Sequence, residues 1–143
     1  MPTDFAPGSV PGATPLFSGG ALLDAEKLDC YRLAVTFQAL TGRLLPKPSG
    51  VSGLRDQLDR ASVSIVLNIA EGAGRFSPAD KARFYAFARG SATECAAIVD
   101  VVLIQGLAPA PVCRQARSFL VRIVQMLTRL NARQLPSYFP VQK

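Results

Sequence analysis

Apolar residues return at helical intervals through four stretches of this chain, and proline- and glycine-bearing segments separate them. From about Asp24 to Leu44, the residues Leu28, Tyr31, Val35 and Ala39 trace one stripe while Leu33, Phe37, Leu40 and Leu44 trace another. Two stripes side by side predict a first helix with a wide apolar face. Pro46, Pro48, Gly50 and Gly53 break it. A second helix is expected over about 52–73, with Leu54, Leu58, Ala61, Ile65 and Ile69 on one side and a further row of Val63, Val66, Ala70 and Ala73 beside it. That is more apolar width than one core contact needs, so this helix is either central or shared with another subunit.

Ser77-Pro78-Ala79-Asp80 signals the start of the third helix. Ser77 can cap it, Pro78 suits the first helical position and Asp80 can reach back to complete a capping box. Phe84, Ala88, Ser91, Cys95, Ile98 and Val102 form its stripe over about 78–106, a length of about 40 Å. Gly106, Pro109 and Pro111 close it and open a fourth helix over about 110–134, striped by Ala116, Phe119, Ile123, Leu127 and Leu130, until Pro136 ends the pattern. No segment has the period of a strand, and no internal repeat is evident. The expected fold is all-α, an antiparallel up-down-up-down four-helix bundle over 23–135. A flexible N-terminal tail over 1–22, with Pro2, Pro7, Pro11 and Pro15, and a C-terminal tail over 136–143 flank it.

A length of 143 residues, 49% apolar and 18% charged, fits one globular domain with a real core. The longest apolar stretch, Ala96 to Leu107, is interrupted by Asp100 and Gln105 and is too short to cross a bilayer. Met1-Pro2-Thr3-Asp4 lacks the basic and apolar blocks of a secretory signal, so no membrane association and a cytoplasmic location are expected. Cys30, Cys95 and Cys113 are odd in number and sit inside apolar patterns, as small buried hydrophobes do. With no histidine in the chain, a Cys/His zinc site is excluded, and neither metal nor cofactor is expected.

Charge is unevenly placed within the net +6. Residues 1–100 hold ten cations and ten anions, whereas 101–143 hold Arg114, Arg117, Arg122, Arg129, Arg133 and Lys143 with no acid. At about 100° per residue, Arg122, Arg129 and Arg133 share one narrow sector of the fourth helix, flanked by Arg114 and Arg117 across a neutral strip. An arginine face of this kind can contact the phosphates of RNA or DNA. The bland alternative is a solvated face, or pairing with Asp56, Asp59 or Asp100 of neighbouring helices.

A polar set surrounds the turn between the second and third helices: Asn68, Glu71, Arg75, Arg83, Arg89, Ser91 and Glu94. Asn68 falls in phase with Leu58, Ala61, Ile65 and Gly72, so its amide is expected to point towards the core, where it needs partners. Two carboxylates, Glu71 and Glu94, could hold a proton or divalent ion. The set also carries enough cations to satisfy its own anions, and an internal network fixing helix register or a subunit contact is the favoured reading. Gly72-Ala73-Gly74 follows a helix and lacks a downstream Gly-Lys-Ser/Thr, so it is expected to release the helix through a left-handed residue and to pack tightly rather than bind nucleotide. Ser62, Ser64 and Ser91 have no histidine base and no lysine close in sequence. A catalytic site is not expected.

Ser64-Ile65, Asn68-Ile69-Ala70-Glu71-Gly72 and Gly74-Arg75, followed by Arg83-Phe84-Tyr85 and by Arg89-Gly90-Ser91 with Glu94, resemble the bacterial four-helix-bundle proteins first noticed in intervening sequences of 23S ribosomal RNA genes. The likeness covers about residues 24–134. It implies a bundle assembling with itself into a ring-like homopentamer, and a relation to the accessory protein of diversity-generating retroelements, whose partners are nucleic acid and a reverse transcriptase. Ala92 and Cys95 stand where relatives place leucines, which implies different packing of the third helix. The expected function is therefore a non-enzymatic homo-oligomeric scaffold binding nucleic acid through its fourth helix. The alternative is a protein-interaction or structural scaffold with no nucleic-acid binding.

Overall fold

Four helices form where the stripes run: α1 (Asp29–Leu44), α2 (Ser52–Gly74), α3 (Pro78–Ile104) and α4 (Ala110–Gln134). The computed structural model describes residues 20–46 and 50–136, and among these there is no strand. Pro48, Lys143, and the greater part of both expected tails lie outside the described residues.

The first apolar pattern divides into two elements. Asp24–Lys27 is a 3-10 turn, Leu28 is extended at φ −90° and ψ 126°, and the α-helix starts only at Asp29. Hydrogen bonds explain the break. The Glu26 carboxylate accepts from the Leu23 N–H at 2.6 Å, and the Arg32 Nε donates to the Glu26 carbonyl at 2.6 Å, which clamps the turn against α1. Leu28 still packs on the core, so the apolar period runs through a backbone that is not continuously helical.

Ser77 caps α3 as its sequence predicts, accepting from the Asp80 N–H at 3.0 Å. The Asp80 carboxylate turns to Arg83 at 3.8 Å. At the other end Gly106 adopts φ +67°, where the Leu107 N–H reaches the Val102 carbonyl at 3.0 Å and the Gly106 N–H reaches Leu103 at 3.1 Å. This pairing of the last carbonyls requires a left-handed residue, and glycine supplies it without steric cost.

Each helix packs on its sequence neighbour, and α4 returns to α1, so the four close a ring around one core. Cross-helix hydrogen bonds join Ser64 to Ser91 and Gln57 to Glu94 between α2 and α3, and Asn131 to Ala82 and Arg89 to Thr128 between α3 and α4. Rising numbers on one helix meet falling numbers on the next, the order that antiparallel neighbours give. Phe37, Leu40, Leu44, Leu58, Ile65, Ile69, Val99, Val102, Leu120, Ile123 and Leu127 fill the centre.

Helix phase was legible to within about one residue. Of the two stripes on α1, the buried one is Leu33, Phe37, Leu40 and Leu44. On α3 the buried line is Tyr85, Ala88, Ala92, Cys95, Val99 and Val102, while Phe84 and Ser91 are displaced to the edge facing α2. Ala92 and Cys95 are both fully buried in the core. On α2 the second row divides, with Val63 exposed, Val66 and Ala70 half-buried and Ala73 buried.

Arg55 is a charged residue inside this core, 8% exposed. Its guanidinium donates from Nη1 to the Thr41 carbonyl at 2.9 Å and to the Leu45 carbonyl, and its Nη2 meets Asp59 Oδ1 at 2.8 Å. A cation thus adds a second donor to the Thr41 carbonyl, which already accepts from the Leu45 N–H at 3.0 Å, and supplies one to the Leu45 carbonyl just beyond the end of α1.

Candidate nucleic-acid interface and the polar motif

The arginines of α4 divide between two flanks of their helix. Arg117 turns towards α3, with its Nε 3.6 Å from Asp100 Oδ1. Both side chains are about half exposed, so the pair contributes under about 1 kcal/mol. Arg114, exposed, stands one turn before it. Arg122, Arg129 and Arg133, all exposed, turn the other way and line two adjoining hollows along the seam between α1 and α4. The upper hollow, about 190 Å³, is bounded by Asp29, Cys30, Met126, Arg129, Leu130 and Arg133. The lower, about 370 Å³, is bounded by Asp29, Arg32, Leu33, Thr36, Phe119, Arg122 and Met126.

This seam therefore carries four guanidinium groups, one from α1 and three from α4, against a single carboxylate, Asp29. Leu33, Phe119, Met126 and Leu130 line the hollows beside them. Arg32 was not singled out from the sequence, because the charge excess lies in the last segment and the first hundred residues sum to zero. Antiparallel pairing brings it beside Arg122. Over the eleven helical steps from Arg122 to Arg133 the arginines extend about 16 Å along the helix, and among the described residues Arg122, Arg129 and Arg133 have no ion-pair partner. The guanidinium forks of Arg122, Arg129 and Arg133 can each take a phosphate through two parallel hydrogen bonds, while Arg32, whose Nε is held by the Glu26 carbonyl, adds its charge.

The polar motif lies on the diagonally opposite edge, between α2 and α3, and forms several small groups. Asn68 is half-buried at this edge, a correction to the expected core position. Its Nδ2 donates to the Ser64 carbonyl and to Ser64 Oγ, both at 2.9 Å, and Ser64 Oγ lies 2.9 Å from Ser91 Oγ. Asn68 thus holds the serine pair that joins the two helices. One turn on, Glu71 pairs with Arg75, the residue just beyond the end of α2. Arg75 and Arg83 both lie over the Phe84 ring, at 4.9 Å and 5.0 Å from its centroid, and Phe87 meets Phe84 edge-on at 6.0 Å.

Glu94 is exposed and accepts from Gln57 Nε2 at 3.2 Å. Gln57 and Glu71 are fourteen residues apart on one helix, so the two carboxylates stand about 20 Å apart along the axis. They do not form a common acid pair, and among the described residues no group of acids and cysteines is arranged to hold a metal ion. Arg89 belongs to the other flank of α3, where its Nε donates to Thr128 Oγ1 at 2.8 Å.

The glycines of the motif play different parts. Gly72 and Gly74 do not take the left-handed conformation expected of them, since α2 runs through both to Gly74 and Arg75 beyond it is extended. Gly72 is buried because Tyr85 lies against it, and a Cβ there would stand 2.8 Å from Tyr85 Cε1. Gly74 and Gly90 have open space instead. Lys81, also missed in the sequence, closes the turn by donating from Nζ to the Ala73 carbonyl at 2.9 Å and the Gly72 carbonyl at 3.4 Å.

The cysteines are buried and free. Burial pushes the Cys30 thiol up to about 11 and the Cys95 thiol up to about 12, and raises Cys113 as well. Protonated and enclosed, they are packing groups rather than nucleophiles. Among the described residues no helix is long and apolar enough to cross a membrane.

A comparison with curated proteins finds no match. The family model described as 23S rRNA-intervening sequence protein matches residues 26–129, which takes in the Ser64–Asn68–Ser91 group, the Gly72–Tyr85 contact and the greater part of the arginine seam. On that match the chain belongs to the 23S rRNA-intervening sequence protein family.

Proposed function

We propose that the protein is a non-enzymatic, homo-oligomeric helical scaffold that binds nucleic acid along the α1–α4 seam. The observation that carries this reading is the line of Arg122, Arg129 and Arg133, which have no ion-pair partner among the described residues, with Asp29 the one acid lining the hollows they share with α1. Such a line attracts phosphates without regard to nucleotide sequence. The pentameric state implied by the motif would repeat the seam and multiply its field. Self-association is supported by the other edge, where Val63, Leu67 and Phe87 remain uncovered although the core is complete.

The test is titration of a fluorescently labelled structured RNA and of a matched DNA duplex with the whole protein at low salt, followed by anisotropy. Binding that weakens steeply as salt is added is the expected result. No binding of either at low salt would overturn the nucleic-acid part and leave a protein-interaction scaffold. That second reading has its own support in Arg117 and Arg89, which bridge α3 and α4.

A further inference from the structure

The two hollows of the α1–α4 seam share only Asp29 and Met126, so Asp29 stands where they adjoin, with Arg122 bounding one and Arg129 and Arg133 bounding the other. It is exposed, and among the described residues its carboxylate has neither an ion-pair nor a hydrogen-bond partner. None of the guanidiniums of the seam pairs with it. A phosphate entering either hollow therefore meets an uncompensated negative charge beside the arginines that attract it. The position at the first turn of α1 suits the helix dipole, but it does not account for an acid aimed into the basic surface.

We infer that Asp29 accepts a hydrogen bond from a ribose 2′-hydroxyl, and that the seam thereby selects RNA over DNA. The inference rests on the nucleic-acid reading above and names the sugar. Along an unbroken strand the backbone presents acceptors, and its one donor is the 2′-hydroxyl that DNA lacks. An unpaired carboxylate among phosphate-binding arginines is repelled by the rest of that backbone and matched by this group. The order of charges agrees. Arg122 and Arg129 are about 10 Å apart along α4, and Met126, the companion of Asp29 in both hollows, lies between them. Cation, acid and cation along the seam repeat phosphate, ribose and phosphate along a strand.

Other donors fit Asp29 less well. A base amino group reaches it only from a base splayed into the seam, and the one aromatic side chain lining the hollows, Phe119, is 5% exposed and offers no stacking surface. A lysine or arginine of another protein would be repelled by the arginines on either side. Among the described residues no second acid or cysteine joins Asp29 in a metal-binding group. In a structured RNA the 2′-hydroxyls are displayed along the wide, shallow minor groove, where a side chain can reach them.

The experiment follows the anisotropy of three labelled hairpins of one sequence, titrated with the whole protein at low salt with a chelator present: RNA, RNA with fluorine in place of each 2′-hydroxyl, and DNA. Fluorine keeps the RNA form of the helix and removes the donor. The proteins are the wild type, Asp29→Ala and, as a control, Asp24→Ala, an exposed acid of the preceding turn that lines neither hollow. Circular dichroism verifies that each is folded. The wild type and Asp24→Ala are expected to bind RNA about tenfold more tightly than the fluorinated RNA or DNA. Asp29→Ala is expected to bind RNA and its fluorinated form alike, and to bind DNA more tightly than the wild type does, because the repulsion is gone. Support of α1 by Asp29 moves the melting temperature but not this ratio of affinities, so the ratio reads the contact itself. Equal affinity of the wild type for RNA and its fluorinated form, or a preference between them that survives Asp29→Ala, overturns the contact while sparing the seam. No binding of any hairpin by the wild type overturns both.

Discussion

Gly72 on α2 and Tyr85 on α3 set how closely their two helices approach: a Cβ on the glycine would stand 2.8 Å from Cε1 and 2.9 Å from Cδ1 of the tyrosine ring. Tyr85 is 2% exposed and cannot swing into solvent without opening the core. Gly72→Ala is therefore expected to destabilise the bundle by about 1–3 kcal/mol, although alanine is the better helix former. Gly90→Ala, mid-helix in open space, is expected to stabilise it by about 0.5–1 kcal/mol. Urea unfolding of both variants checks the pair, and equal shifts in the same direction would contradict the contact.

Arg55 makes the second long-range attachment. Removing it takes the guanidinium donor from the Leu45 carbonyl and leaves the Thr41 carbonyl with only the Leu45 N–H, in a nearly enclosed site, so Arg55→Ala is expected to cost about 2–3 kcal/mol. Asp59→Asn is expected to cost under about 1 kcal/mol, because that carboxylate is 31% exposed and water replaces part of the pairing. Chemical denaturation read by circular dichroism separates the two. A larger loss in the aspartate variant would mean that the ion pair, and not the cap on α1, is what Arg55 supplies.

Alkaline pH should weaken the fold through its buried acids. Burial pushes Cys95 from 9.0 up to about 12 and Tyr85 from 10.0 up to about 12. The folded protein keeps these protons while the unfolded chain releases them, so their contribution is complete below pH 9 and is lost as pH rises towards 12. By pH 11 the loss from Cys95 is of the order of 2 kcal/mol. Urea midpoints between pH 8 and 11 are expected to fall, and to fall less steeply in Cys95→Ala. A parallel slope in that variant would show that Cys95 does not carry its share.

Much of this architecture is written locally in the chain. Ser77-Pro78 marks the start of α3 because a cap and a proline act within one turn, and Gly106 marks its end for the same reason. Long-range features were not legible. Arg55 reads as an ordinary surface arginine until the antiparallel packing sets the start of α2 beside the end of α1. Tyr85 lies one position from Phe84, and 100° of helix rotation decides which of the two aromatics enters the core. Arg32 looked balanced in a charge count, yet the fold places it next to Arg122. Asn68 was located on the right helix and motif, but it serves the α2–α3 edge and not the interior.

The central claim is that phosphate contacts lie on the α1–α4 flank of α4 and not around the whole helix. The salt dependence of RNA binding tests it most directly, comparing Arg122/Arg129/Arg133→Ala with Arg114/Arg117→Ala, whose Arg117 already faces Asp100. On this account the first variant binds more weakly and its slope of log affinity against log salt falls by about 2–3, while the second stays close to the wild type. Equal losses in the two variants, or a slope unchanged by removing Arg122, Arg129 and Arg133, would contradict it.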